Sequence, residues 1–210
     1  MRAPAVAAER APRPKLHAAL SLAIGAAVVL YPFVVYFGQS RLGARSMAVL
    51  LIALFALRLV LARAGARPLL RTTGIGAAAL VPICAGAIAL ALVSLLSGSA
   101  NAVLYYPVLV NAVLLALFAS SLAFPPTIVE RIARARTPAL PAEARGYLRG
   151  VTIAWCLFFV ANGAAALYTA TQSSFETWAL YNGFVAYVLI GAMFAAEWLV
   201  RGRVMRAPRR

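Results

Sequence analysis

Six long apolar stretches, covering roughly 16–38, 46–62, 74–96, 103–124, 151–170 and 178–200, decide what this chain can fold into. Most reach the roughly 18 consecutive apolar residues that mark a bilayer span, and the stretch at 46–62 is the shortest. None alternates apolar and polar residues in the manner of a barrel strand. In hydrocarbon a helix satisfies its own backbone donors and acceptors, so each stretch reads as a transmembrane helix. Only 12% of the residues are charged and 64% are hydrophobic, whereas soluble domains carry about 25% charged residues. The sequence therefore predicts an all-α, polytopic helix bundle of about six spans forming one membrane domain over 16–200.

The basic residues then orient it. Arg2, Arg10, Arg13 and Lys15 fill a tail over 1–15. Arg63, Arg67 and Arg71 follow the second stretch, and Arg131, Arg134, Arg136, Arg145 and Arg149 occupy the connection 125–150. Arg201, Arg203, Arg206, Arg209 and Arg210 make a second tail over 201–210. With six spans these 17 residues fall on one side, only Arg41 and Arg45 fall on the other, and Arg58 lies inside a span. Lys and Arg accumulate on the cytoplasmic side of a membrane protein, so both termini are expected there. The apolar stretch beginning near residue 18 is too long for a signal-peptide core and lacks a small-residue cleavage site, so it reads as an uncleaved first helix. The net charge of +15 is thus an orientation signal. A nucleic-acid-binding stripe would need a polar domain to carry it, and no nucleic-acid partner is expected.

The connection 125–150 is the only sizeable piece outside the spans. Pro125-Pro126 opens it, and Thr127-x-x-Glu130 has capping-box spacing. Ile128, Val129, Ile132 and Ala133 share one helical face, with Glu130, Arg131 and Arg134 on the other. Glu130 and Arg134 are also a favourable i,i+4 pair. This pattern fits either a short amphipathic helix on the inner leaflet or an ordinary loop helix. Its basic side is the candidate docking surface, carried by Glu130, Arg131 and Arg134.

The inventory of reactive side chains is thin. The sequence has no aspartate, five glutamates and one histidine, His17. Acyltransferases of the His-x4-Asp type, two-histidine metalloenzymes and enzymes that hold metal on clustered aspartates cannot be assembled from it. No enzyme activity, metal or cofactor is expected. Cys84 and Cys156 lie inside apolar runs with no partner motif and read as small buried hydrophobes. Ionisable groups within spans are candidate sites by default, which singles out Arg58 and Glu197. Both can also act as anchors, Arg58 by snorkelling to the headgroups and Glu197 by pairing with Arg201. Asn111, Asn162 and Asn182 lie deeper. They can line a polar cavity with Glu197 and Arg58, or bond helix to helix. The tyrosines and Trp178 near the outer ends suggest an interfacial belt.

Several motifs resemble an uncharacterised bacterial membrane-protein family. They are Tyr105-Tyr106-Pro107-Val108-Leu109-Val110-Asn111, then Phe124-Pro125-Pro126 with Glu130-Arg131-x-Ala133-Arg134. The likeness continues through Val151-Thr152, Trp155-Cys156, Phe158-Phe159, Asn162-Gly163 and Trp178-x-Leu180-Tyr181-Asn182-Gly183. It runs from about Tyr31 to Arg201. Members of that family are often encoded beside ketosynthase and acyl-carrier genes of aryl-polyene pigment clusters in Gram-negative bacteria. A looser likeness, from Ala154-Trp155 to Gly163, is to intracellular septation protein A, of the inner membrane and cell envelope. The resemblance implies an accessory or scaffold role in envelope or polyene-lipid assembly at the bacterial inner membrane. Its implied partners are membrane lipids and an acidic protein such as acyl carrier protein, or envelope-synthesis proteins. The rival expectation is a transporter or flippase for a lipid-linked product. Neither family supplies catalytic residues.

Overall fold

A computed structural model describes residues 37, 45, 46, 48–60, 75–137 and 144–206. Among them the chain is helical throughout, with no strand. The helices are α1 (Ala48–Val60), α2 (Ile75–Ser97), α3 (Tyr106–Ala123), α4 (Ile128–Arg136), α5 (Ala144–Gln172), α6 (Phe175–Leu180) and α7 (Ala186–Arg206). A 3₁₀ helix, Ala100–Tyr105, leads into α3, and a π-turn, Tyr181–Val185, joins α6 to α7 without a break. Among the described residues four stretches are long and apolar enough to cross a membrane: Ala78–Ser97, Asn101–Ala123, Ala144–Gln172 and Phe175–Arg201. Helix α2 alone, at 23 residues, extends about 34 Å against a hydrocarbon thickness of about 30 Å. The expected first span at 16–38 apart from Phe37, the tail 1–15, the loop arginines at 63, 67 and 71 and the last four residues lie outside the described residues.

Short polar caps set the corners. Gly98, at φ +67°, takes the left-handed conformation that a residue with a Cβ avoids, and it turns the chain out of α2. The Ser99 hydroxyl then accepts the Asn101 N–H at 3.3 Å. Pro107 sits in the first turn of α3, where its missing N–H costs nothing. Ser174 caps α6 by accepting the Thr177 N–H at 3.3 Å.

The main core lies where α1, α2, the 3₁₀ helix and α6 meet. Leu51, Phe55, Cys84, Ala87, Ala91, Val103, Tyr106, Trp178 and Ala179 form one buried cluster. Phe55 and Tyr106 approach ring to ring at 5.1 Å, and the Trp178 indole N–H donates to the Leu104 carbonyl at 3.0 Å. Trp178 is 1% exposed and Tyr106 is 7% exposed. These two rings belong to the core and not to an interfacial belt, whereas Tyr168 points outward. Close approach of α2 to α3 depends on Gly86, where a Cβ would overlap the Leu109 Cδ2. Large apolar side chains remain on the outside, among them Leu92, Val93, Leu157, Val160, Val188 and Leu199. An apolar exterior of this extent is the surface of a protein solvated by lipid.

Candidate functional site

Two constellations gather most of the buried polar side chains among the described residues. The first is a ladder of amides. Asn111 stands on α3 near the middle of its span, and its Nδ2 donates to the Pro107 carbonyl at 2.8 Å. Asn162 Nδ2 on α5 donates to Asn111 Oδ1 at 3.1 Å, and the Tyr181 hydroxyl donates to Asn162 Oδ1 at 3.0 Å. Gly163 makes the approach feasible, since a Cβ there would stand 3.2 Å from Asn111 Cβ. Asn182 Nδ2, within the π-turn, donates to Thr169 Oγ1 at 3.1 Å and to the Trp178 carbonyl at 2.9 Å. It thereby ties the turn to α5 where the helix ladder changes its spacing. All three asparagines are buried. In hydrocarbon their amides find partners on neighbouring helices, the arrangement expected of groups that hold helices together.

The second constellation is a partly open cavity of about 740 Å³ at the opposite end from the core, between α3, α4, α5 and α7. Leu114 and Phe118 of α3, Trp155 and Phe159 of α5, and Ile190 and Phe194 of α7 give it an apolar lining. Its aromatic rings are in mutual contact, with Trp155 at 4.9 Å from Phe194 and 5.7 Å from Phe159. Its polar lining consists of Thr137, Tyr147, Glu197 and Arg201. The Tyr147 hydroxyl donates to the Glu197 carbonyl oxygen at 3.2 Å and lies 3.4 Å from its carboxylate. Arg201 Nε is 3.8 Å from Glu197 Oε1.

Helix α4 is one wall. Thr127 Oγ1 accepts the Glu130 N–H at 3.3 Å, as the capping spacing predicts. Val129, Ile132 and Ala133 turn toward the cavity, while Ile128 is buried and its N–H donates to Ser121 Oγ at 3.1 Å. The expectation that Glu130 shares an outward face with Arg131 and Arg134 is corrected here. Glu130 is 7% exposed, because α4 packs against α5 and turns this carboxylate inward. Two donors of Arg134 converge on Glu130 Oε1, at 2.6 and 3.0 Å, and Arg145 Nε stands 3.9 Å from the same oxygen. Arg131 Nε donates to the Pro126 carbonyl at 2.9 Å, and Arg149 reaches the Leu122 carbonyl at 3.0 Å. The basic side of this connection is thus partly engaged by the protein itself: Arg134 within α4, Arg131 with the preceding turn, Arg145 between α5 and α4, and Arg149 between α5 and α3.

Of the residues singled out by sequence, the structure brings Asn111 to Asn162, and Glu130 to Arg134. Glu197 lines the cavity; Arg58, Asn111, Asn162 and Asn182 are not among its lining residues. Arg58 is half-buried on α1 and has no ion pair among the described residues. Sequence reasoning missed Tyr147, Trp155 and Phe194 as lining residues. Tyr147 stands between Arg145 and Arg149 and reads as loop, and its contact with Glu197 joins positions fifty residues apart. Comparisons of the chain with family models, with curated proteins and with solved structures gave no match.

Proposed function

We propose that this integral membrane protein is a non-enzymatic accessory or scaffold of the bacterial inner membrane, acting in envelope or polyene-lipid assembly. The observation that supports the scaffold reading most is the use of the deep amides. Asn111, Asn162 and Asn182 are bonded across α3, α5 and the π-turn, which favours a bundle locked in one arrangement over a polar conduit that must open and close. The placement in lipid assembly comes from the motif resemblance. The proposed partners are the membrane lipids themselves and an acidic cytoplasmic protein such as acyl carrier protein, drawn to the basic end of the bundle.

The rival is a transporter or flippase for a lipid-linked product, and the partly open cavity between α3, α4, α5 and α7 is what speaks for it. Reconstitution separates the two. Purified protein in vesicles containing a headgroup-labelled fluorescent phospholipid should leave its transbilayer exchange at the protein-free rate, read by quenching with external dithionite. Exchange accelerated in proportion to protein would overturn the scaffold reading and favour the flippase.

A further inference from the structure

We infer that the cavity between α3, α4, α5 and α7 holds one acyl chain of an anionic phospholipid drawn from the surrounding leaflet, with the phosphate headgroup on Arg201. The inference adds a defined ligand to the scaffold reading and does not require that reading to hold.

The chemistry of the lining selects the occupant. The deep part, Leu114, Phe118, Trp155, Phe159, Ile190 and Phe194, offers side chains that cannot hydrogen-bond a polar solute, the Trp155 indole N–H apart. A sugar or nucleotide buried there would leave its own polar groups unpaired at a cost of kcal/mol each. The volume of about 740 Å³ lies within the range of single small-ligand sites, about 300–1,000 Å³. A partner helix, about 10 Å across with its side chains, would have to displace α4, which one hydrogen bond to α3, two to its own N-terminal flank and the Arg145–Glu130 ion pair to α5 hold in place. A flexible hydrocarbon chain meets neither obstacle.

Charge selects the headgroup. Among the described side chains this end of the bundle carries Arg131, Arg134, Arg145, Arg149 and Arg201, against Glu130 and Glu197. Glu130 is already consumed by Arg134. Arg201 lines the cavity and touches Glu197 only at 3.8 Å, too long for a hydrogen bond. Its guanidinium makes no hydrogen bond among the described residues, so its donor fork is open to a phosphate. The Tyr147 hydroxyl lies on the same rim, beside Glu197. An anionic headgroup at Arg201 would place its chains directly over the apolar lining.

Trp155 reports occupancy. It is 8% exposed and lines both the cavity and a shallower groove between α5 and α7, so a variant that fills the cavity alone decides which of the two a quenching lipid has entered. Trp178 is 1% exposed, whereas Trp198 is 69% exposed, so the experiment uses the full chain carrying Trp198→Phe. The protein is reconstituted in phosphatidylcholine vesicles containing increasing fractions of phosphatidylglycerol brominated on its acyl chains, and tryptophan quenching is followed. Expected is quenching that saturates at a fraction of brominated phosphatidylglycerol several-fold below that of brominated phosphatidylcholine. Arg201→Gln should weaken that preference about fivefold, the equivalent of about 1 kcal/mol for one cation at an anionic surface, while Arg201→Lys keeps most of it. Ala133→Phe, which fills the cavity from α4, should abolish the saturable quenching while native helicity by circular dichroism is retained. Equal quenching by both lipids would make the cavity an unselective lipid contact and overturn the inference. Absence of quenching, or quenching indifferent to both Arg201→Gln and Ala133→Phe, would overturn it as well. Flippase activity in the exchange assay would leave this result standing, so the two readings fail separately.

Discussion

Replacing Asn162 by alanine is the sharpest perturbation of the buried amide ladder. The substitution removes the bond from Asn162 Nδ2 to Asn111 Oδ1 at 3.1 Å and the acceptor of the Tyr181 hydroxyl at 3.0 Å. Interhelical hydrogen bonds in membranes average about 0.6 kcal/mol, with a maximum of about 1.7. Two of them give a destabilisation of about 1.2 kcal/mol, rising toward 3 if the orphaned Tyr181 hydroxyl finds no new partner. Asn111→Ala loses the shared bond and its own contact to the Pro107 carbonyl at 2.8 Å, which lies within α3 and is worth less. The two residues share one bond, so the double variant should be more stable than the sum of the singles by about 0.6 kcal/mol. The assay is unfolding in mixed micelles titrated with sodium dodecyl sulfate, followed by circular dichroism, for the four proteins of the cycle. Strict additivity would refute the ladder. So would an Asn162→Ala variant as stable as the parent, since a buried amide that costs nothing to remove is not holding two helices together.

Other consequences follow from the same packing. Gly163→Val places atoms beyond a Cβ that already stands 3.2 Å from Asn111, and should cost about 1–3 kcal/mol by overpacking. Gly146→Ala and Gly150→Ala meet nothing within 4 Å and should be neutral or stabilising by up to about 1 kcal/mol, in the same unfolding titration. Glu130→Ala removes the carboxylate that holds Arg134, so trypsin should cleave after Arg131 or Arg134 several-fold faster in the folded protein; an unchanged rate would show that α4 is held without it. Trp178→Phe loses the bond to the Leu104 carbonyl and part of a filled core volume, and should cost about 1–3 kcal/mol.

The spans were legible because hydrocarbon leaves a chain few choices. The apolar runs at 74–96 and 103–124 correspond to Ala78–Ser97 and Asn101–Ala123 within a few residues. Ends were harder where arginines intrude. Helix α5 begins at Ala144, seven residues before the run that starts at Val151, because Arg145 and Arg149 can belong to a helix and still reach water or a carbonyl cap. Ser174 opens the last span ahead of Trp178 by capping at the Thr177 N–H, a signal that hydropathy ignores. The sides of the membrane-spanning helices were harder still, although the apolar face of α4 was read correctly. Apolar residues surround α2 and α3, since one face meets lipid and the other meets protein, so nothing in the pattern says that Trp178 is buried while Trp198 is exposed. In α4 the polar spacing suggested an outward Glu130. Its burial follows from the packing of α4 on α5 and from Arg134 closing over it, which only the tertiary arrangement reveals. The cavity was hidden for the same reason, as it is built from four helices with Phe118, Trp155 and Phe194 far apart in sequence.

In a bilayer these helices should place α4 and the start of α5 on one side and the turns after α2 and α5 on the other. Single cysteines placed at Ser97, Thr137, Gly146 and Gln172, all exposed positions, in a Cys84→Ala, Cys156→Ala background test it with a membrane-impermeant maleimide on intact bacterial cells. The account predicts that Ser97 and Gln172 variants label from outside, while Thr137 and Gly146 variants label only after permeabilisation. Labelling of all four from the same side, or Ser97 and Gln172 on opposite sides, would contradict it.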